Sequence, residues 1–178
     1  RHPETVSWCL EKFPLDWIND VEGFSNPKML EIAARSECDL VLMHSLGIPP
    51  RQDAVLPPDR DPIAELLAWG TERVGQLARS GISPRRIIFD PGIGFGKSPA
   101  QSLAIVLRAR ELNALATRLL MGHSRKRFLD LTGTIPASDR DLETALVTAR
   151  IANSGVDYVR VHSPGIQSRA LRMGSRLM

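Results

Sequence analysis

The stretch Ile87-Ile88-Phe89-Asp90-Pro91-Gly92-Ile93-Gly94-Phe95-Gly96-Lys97 decides how the rest of the chain is read. Ile87 to Phe89 is an apolar run suited to a buried strand, and Asp90 places a carboxylate at that strand's carboxyl end. Pro91 has no donor for a ladder and stops the strand, while Gly92, Gly94 and Gly96 accept positive φ and let backbone approach a ligand closely. Ser98-Pro99-Ala100-Gln101 then reads as an N-cap, a first-turn proline and a capping-box glutamine, so a helix starts there. The unit is strand, glycine loop, helix. Its glycine spacing matches neither the P-loop nor the G-x-G-x-x-G fingerprint, and alone it suits a plain tight turn equally well.

Working outward, the same unit repeats. Upstream, Asp39 to His44 is a strand, and Gly47, Pro49, Pro50, Pro57 and Pro58 forbid regular structure until about Asp61, which makes 47–60 the longest loop. Asp61-Pro62 caps a helix whose Ile63, Leu66, Leu67, Val74, Leu77 and Ala78 keep a 3.6 period up to Gly81. Earlier still, Pro3 opens a helix that stops near Pro14, Trp17 to Val21 is a strand, and Asn26-Pro27 opens a helix through Met29, Leu30, Ala33 and Ala34. Downstream, the helix after Ser98 carries Leu103, Val106, Leu107 and Leu112, and the strand Arg118 to Met121 runs into Gly122-His123-Ser124-Arg125-Lys126-Arg127. Ser138 with Asp141 predicts the start of a helix bearing Leu142, Ala145, Leu146, Ala149 and Ala152 and closed by Gly155. Tyr158 to His162 is the last strand, and 165–178 a short basic helix.

Strands that are continuously apolar, each followed by a helix, place the chain in the α/β class, with a parallel sheet covered on both faces. The polar residues Asn19, Met43-His44, Asp90, Ser124-Arg125-Lys126 and Arg160-His162 all fall at carboxyl ends of strands, where parallel barrels and open sheets bind ligands.

The 178 residues are 43% hydrophobic and 24% charged, enough for one domain, 1–178, with a sizeable core. A net charge of +3 is spread through 23 basic and 20 acidic residues, so nucleic acid is not implied as a partner. Cys9 and Cys38 lack metal or disulfide spacing and read as free thiols in helical stretches. No apolar run reaches bilayer length and no signal segment opens the chain, which predicts a cytoplasmic protein with no membrane partner. The chain begins at Arg1 rather than at a methionine, so a preceding segment is expected.

Asn19 and Asp90 together offer an amide and a carboxylate able to read the amino-amidine edge of a pterin or guanine-like ring. Lys126, Arg160 and His162 put cations on neighbouring strand ends and favour a phosphate or pyrophosphate. Taken singly, each also has a purely structural reading. Asn19 serves as a turn amide, Asp90 as a helix-dipole partner, Lys126 as a solvated charge beside Arg125 and Arg127, and His162 as a satisfied strand-end histidine. His2, His44 and His123 show no metal-ligand spacing, and no nucleophile elbow or Ser-His-Asp order suggests covalent catalysis.

Ile18-Asn19-Asp20-Val21, Leu42-Met43-His44, Asp90 to Lys97, Gly122 to Lys126 and Arg160-Val161-His162 occur in the order found in dihydropteroate synthases. The chain resembles that family over nearly its whole length, from just after the third barrel strand to the end. The resemblance implies a TIM (β/α)8 barrel, present here as an incomplete barrel of five βα units without the first three strands, since a full ring takes about 250 residues. It implies a sulfonamide-target enzyme of folate biosynthesis that condenses 6-hydroxymethyl-7,8-dihydropterin pyrophosphate with para-aminobenzoate to dihydropteroate and pyrophosphate, this portion alone being inactive.

By the same resemblance Asn19 and Asp90 bind the pterin, Met43 walls its pocket and Lys126 hydrogen-bonds it. Arg160 and His162 take the pyrophosphate, so Lys126, Arg160 and His162 carry the catalysis. Mg²⁺ is the implied cofactor, contacted by an asparagine upstream of Arg1 and by no ligand in this chain, and the complete enzyme is implied to be a homodimer. Ser163 departs from the aspartate usual after Arg-Val-His, and Ser45-Leu46 departs in the loop after Met43-His44. Two other readings stay open. One is a methyltetrahydrofolate-dependent methyltransferase, with the same Asn and Asp and no pyrophosphate to hold. The other is a non-catalytic pterin-binding or partner subunit whose sheet edges pair with another chain.

Overall fold

The computed structural model describes residues 1–51 and 53–177, so Gln52 of the long loop and the terminal Met178 lie outside the described residues. The elements are α1 (Pro3–Lys12), β1 (Trp17–Asp20), α2 (Pro27–Arg35), β2 (Asp39–Met43), α3 (Pro62–Arg79), β3 (Ile87–Asp90), α4 (Pro99–Leu107), β4 (Arg118–Met121), α5 (Asp141–Ile151), β5 (Tyr158–Val159) and α6 (Pro164–Leu177). The strands form one sheet in the order β1-β2-β3-β4-β5, with every neighbouring pair parallel.

Local chemistry sets most helix starts. Asn26 accepts from the Lys28 N–H at 2.9 Å, Asp61 from the Ile63 N–H at 3.1 Å, and Ser98 with Gln101 closes a reciprocal capping box, each followed by proline at the first helical position. The start of α5 differs from expectation. Ser138 sits in a 3-10 turn with its hydroxyl on Asp139, and Arg140 precedes α5 without a side-chain cap, because the Asp141 carboxylate is held by Arg125 and Ser163 instead. Leu112 is also not on α4, which ends at Leu107. A 3-10 segment, Ala109–Leu115, follows, and its three-residue period turns Ala109, Leu112 and Leu115 together into the core. Cys38 is not helical either. It is buried between α2 and β2 with its thiol on the Leu15 carbonyl at 3.0 Å, and both cysteines are free.

The pleat sorts the strand residues onto two faces. Ile18, Leu40, Leu42, Ile87, Phe89, Leu119 and Met121 share the main core with Met29, Ala33, Ile63, Leu66, Leu77, Ile105 and Ile151 of the helices. Among the described residues no helix packs in the cluster on the other face, contrary to the expectation of a sheet sandwiched between helical layers. Val41, Ile88 and Leu120 pack there with Tyr158, and below them Arg118 pairs with Asp39 at 2.7 Å and donates to the Tyr158 hydroxyl at 3.3 Å. Trp17 of the first strand meets Tyr158 of the last with ring centroids 4.7 Å apart. The sheet is therefore curled until its two margins touch through side chains, and a curled sheet buries apolar residues on its concave face without a second helical layer. Asn19, Met43 and Asp90 continue that concave face at the carboxyl edge. Among the described residues no helix is long and apolar enough to cross a membrane.

Candidate active site

Asp90 ends β3 fully buried. Its Oδ1 accepts the Gly92 N–H at 2.8 Å, and its Oδ2 accepts Nη2 of Arg160 at 2.8 Å. Nη1 of Arg160 donates to Oδ1 of Asn19 at 3.0 Å. Asn19 on β1 and Asp90 on β3 thus present two oxygens, with β2 between them, to one planar fork of N–H donors. Met43 of β2, opposite Asp90 in register and fully buried, forms the floor between them. The pair holds the flat Arg160 guanidinium by its adjacent N–H donors.

The glycine loop holds this arrangement rigid. Gly92 has φ +65°, and a Cβ there would lie 1.9 Å from the His44 carbonyl oxygen, so only glycine fits. Lys97 folds back beneath the loop, 6% exposed, with Nζ 2.6 Å from His44 Nδ1, 3.1 Å from the Phe95 carbonyl and 3.3 Å from the His44 carbonyl. All three ammonium donors are used. Burial pushes Lys97 down to about 7, and burial followed by the Lys97 charge pushes His44 down to about 3. The shared proton therefore sits on Lys97, and His44 is a neutral acceptor. Nothing in the sequence pairs these residues, which stand 53 positions apart.

This clamp makes stability pH-dependent. Unfolded His44 protonates near its ordinary 6.5 while the folded residue resists until about 3, so the unfolded state binds more protons in that window and stability falls as pH falls. Buried His123, also lowered by burial, acts in the same direction. Urea midpoints taken between pH 6.5 and about pH 5.5, above the carboxylate range, are expected to drop. His44→Phe removes up to about 1.4 kcal/mol per pH unit of that slope; an unaltered slope in this variant would contradict the assignment.

Lys126 arrives from the opposite side. Arg125 holds φ +59°, rare for a residue with a side chain, and is fixed there by Asp141 (2.8 and 2.9 Å) and by its own N–H on Thr144 Oγ1 at 3.1 Å. Arg125 first and Ser163 second hold the Asp141 carboxyl down at about 2. Ser163, the departure from the family pattern, thus belongs to this scaffold, its hydroxyl on Asp141 at 2.5 Å. Neither Arg125 nor Asp141 stood out in the sequence as a positioning group. The resulting turn lays Lys126 along Gly94, with Nζ 4.7 Å from the centroid of Phe95. Burial, then the nearby Arg160 charge, lowers its pKa, and Asp90 opposes the shift.

His162 stands apart from the Arg160 fork. β5 ends at Val159, so His162 lies beyond the ladder, and its Nδ1 meets Ser124 Oγ at 2.9 Å. Asn19, Met43, Asp90 and Arg160 are brought together, Lys126 borders them, and His162 faces the β4 loop. Beside Lys126 a cleft of about 360 Å³ is lined by Pro50, Arg51, Val55, Gly94 and Arg127. The loop from β2 is pinned over it by the Leu56 N–H on the Gly96 carbonyl (3.0 Å) and by Gln101 on the Leu56 carbonyl (2.9 Å). A larger cleft, about 1060 Å³, opens at the other end of β1 between α1 and α2 and holds none of the strand-end groups of the carboxyl edge. Among the described residues no three His, Cys, Asp or Glu side chains are grouped to hold a cation.

A carboxylate and an amide that share one flat donor fork stand at the carboxyl edge of a parallel sheet, the edge where parallel α/β proteins bind ligands. Residues 1–162 match the family described as pterin binding enzyme, and the chain belongs to that family. It is 39% identical over 171 residues to a folate synthesis bifunctional protein of Chlamydia trachomatis, covering 95% of this chain and 38% of that one. It is 35% identical over 181 residues to a dihydropteroate synthase type-1 of Escherichia coli, covering 98% and 64%. Its parallel α/β fold matches the crystal structure of dihydropteroate synthase from Anaplasma phagocytophilum with bound 6-hydroxymethylpterin-monophosphate, with a TM-score of 0.92 and 33% identity over all of this chain and 70% of that one. The chain thus spans between about two fifths and seven tenths of the length of these relatives.

Proposed function

We propose that this chain is the pterin-binding portion of a dihydropteroate synthase, joining 6-hydroxymethyl-7,8-dihydropterin pyrophosphate to para-aminobenzoate with release of pyrophosphate. The observation that carries the reading is the convergence of Asn19 and Asp90 on a single planar donor fork, at 3.0 and 2.8 Å. The pterin's amino-pyrimidine edge offers the same donors. The similarity to synthases, one of them solved with a pterin monophosphate, supports the same ring.

In this reading Met43 walls the ring and Lys126 hydrogen-bonds it. Arg160 and His162 take the pyrophosphate, and the 360 Å³ cleft beside Lys126 admits para-aminobenzoate. The C–O bond to pyrophosphate breaks with its electron pair leaving on the pyrophosphate. The aniline nitrogen then bonds to the exocyclic methylene and releases a proton to solvent. The cations act by stabilising the departing charge in a site that holds water away. Mg²⁺ enters as a family expectation alone. The five strands represent units four to eight of an eight-unit barrel within one domain, 1–178, of a cytoplasmic enzyme that dimerises when complete.

Titration calorimetry of the 178-residue chain tests this. The pyrophosphate ester is expected to bind at least about tenfold more tightly than 6-hydroxymethylpterin, a difference of about 1.4 kcal/mol. No dihydropteroate is expected when para-aminobenzoate is added. Equal affinity for the two pterins would favour the methyltransferase reading, and turnover by this chain alone would overturn the partial barrel.

A further inference from the structure

We infer that Arg160 is an internal stand-in for the ring, a guanidinium that a pterin must displace from Asn19 and Asp90 before it binds. The inference rests on the proposed pterin reading and adds a coupling between ring and anion recognition that runs through one side chain.

The guanidinium is a planar carbon bearing N–H groups at the spacing of an amino-amidine edge, and it uses that likeness here. Nη1 serves Asn19 and Nη2 serves Asp90, at 3.0 and 2.8 Å, and these are the oxygens assigned to the ring. Arg160 itself stays 48% exposed, so it can swing out, while Asp90 at 0% cannot. A buried carboxylate left without a partner is strongly disfavoured, so the exchange of guanidinium for ring must be close to one for one.

The docked guanidinium lies directly against Gly122. A Cβ on Gly122, at the end of β4, would lie 2.8 Å from Arg160 Nη2 and 3.4 Å from its Cζ. The missing side chain at Gly122 is thus the seat of the guanidinium. No positive φ is required at this glycine, so alanine is conformationally acceptable there, and the flexible tip of Arg160 is what must yield.

Displacement frees Arg160 beside the bound ring. A ring that carries an anion gives the released cation a new partner, whereas a ring without one leaves it unpaired. Both ligands bear the cost of displacing Arg160, and only the phosphorylated pterin recovers it through the new ion pair, so the preference for the ester lies in that one contact.

The test is titration of the 178-residue chain with 6-hydroxymethylpterin, which carries no phosphate, and with its pyrophosphate ester. Arg160→Met and Gly122→Ala are each expected to tighten the bare pterin about tenfold, as removal of an internal competitor does. Gly122→Ala keeps the cation and retains the preference for the ester, whereas Arg160→Met loses most of it. Unchanged or weaker binding of the bare pterin in both variants, with Asp90→Asn still binding it at least about 100-fold more weakly than the parent, would overturn the stand-in role alone. Equal binding by Asp90→Asn and parent, or no binding by any variant, would overturn the ring reading and this inference with it.

Discussion

Gly92→Ala is expected to destabilise the protein by about 3–5 kcal/mol, among the largest effects of any single methyl group in the chain. Part of this is conformational. At φ +65° an alanine carries about 1–2 kcal/mol of strain. The rest is steric, since the new Cβ would stand 1.9 Å from the His44 carbonyl oxygen. That carbonyl cannot retreat, because the His44 N–H is bonded to the Asp90 carbonyl at 3.0 Å and Lys97 Nζ grips the carbonyl at 3.3 Å. The loop must move instead and break the Gly92 N–H bond to Asp90 at 2.8 Å, so ligand affinity falls together with stability. Gly94→Ala is the internal comparison. Its Cβ would meet only the flexible Lys126 chain at 3.4 Å, and its cost is expected to stop at the conformational part, about 1–2 kcal/mol. Urea unfolding of both variants decides the matter. Equal destabilisation would mean that contact with His44 does not limit the position.

Asp90→Asn is expected to weaken 6-hydroxymethylpterin binding at least about 100-fold while leaving the unfolding midpoint nearly unchanged. The asparagine carbonyl can still accept the Gly92 N–H, but its amide then points N–H at the N–H donors of whatever occupies the fork. A charge-assisted acceptor becomes a donor facing donors, a loss of about 3 kcal/mol, which is the stated affinity change. Stability responds weakly because two effects offset. The Arg160 ion pair is lost, and so is the penalty of holding a carboxylate at zero exposure. Calorimetry with circular dichroism on the same samples separates the two readouts, and retention of affinity within about threefold would remove Asp90 from the recognition site.

Much of the site was legible before the fold was known, because strand ends are marked locally. Asp90 precedes a proline and glycines, Asn19 precedes a turn, and Lys126 follows a glycine-led break, so placing them on one edge required only that the strands be parallel. Arg160 was legible as a cation near an anion and not as the present partner of Asn19 and Asp90. Asn19 and Arg160 are 141 residues apart, and only curling of the sheet sets β1 and β5 face to face. Lys97 was read as the end of a glycine loop, and its burial against His44 has no signature in spacing. Ser138 was misread for a physical reason: a hydroxyl caps a helix only when free to do so, and here it is bonded to Asp139.

By itself the sequence determined the α/β class, the order of elements, three of the helix caps, the glycine loop and the set of side chains at the carboxyl edge. These depend on proline φ, glycine permissiveness, short-range hydrogen bonds and apolar periodicity, all of which act over a few residues. Only the tertiary structure decided that one sheet face is closed by curling rather than by helices, that Lys97 and His44 form a buried clamp, and that Arg160 sits in the fork of Asn19 and Asp90. Each of these is a contact between distant segments whose geometry comes from strand register and sheet twist, and neither is written in any local run of residues.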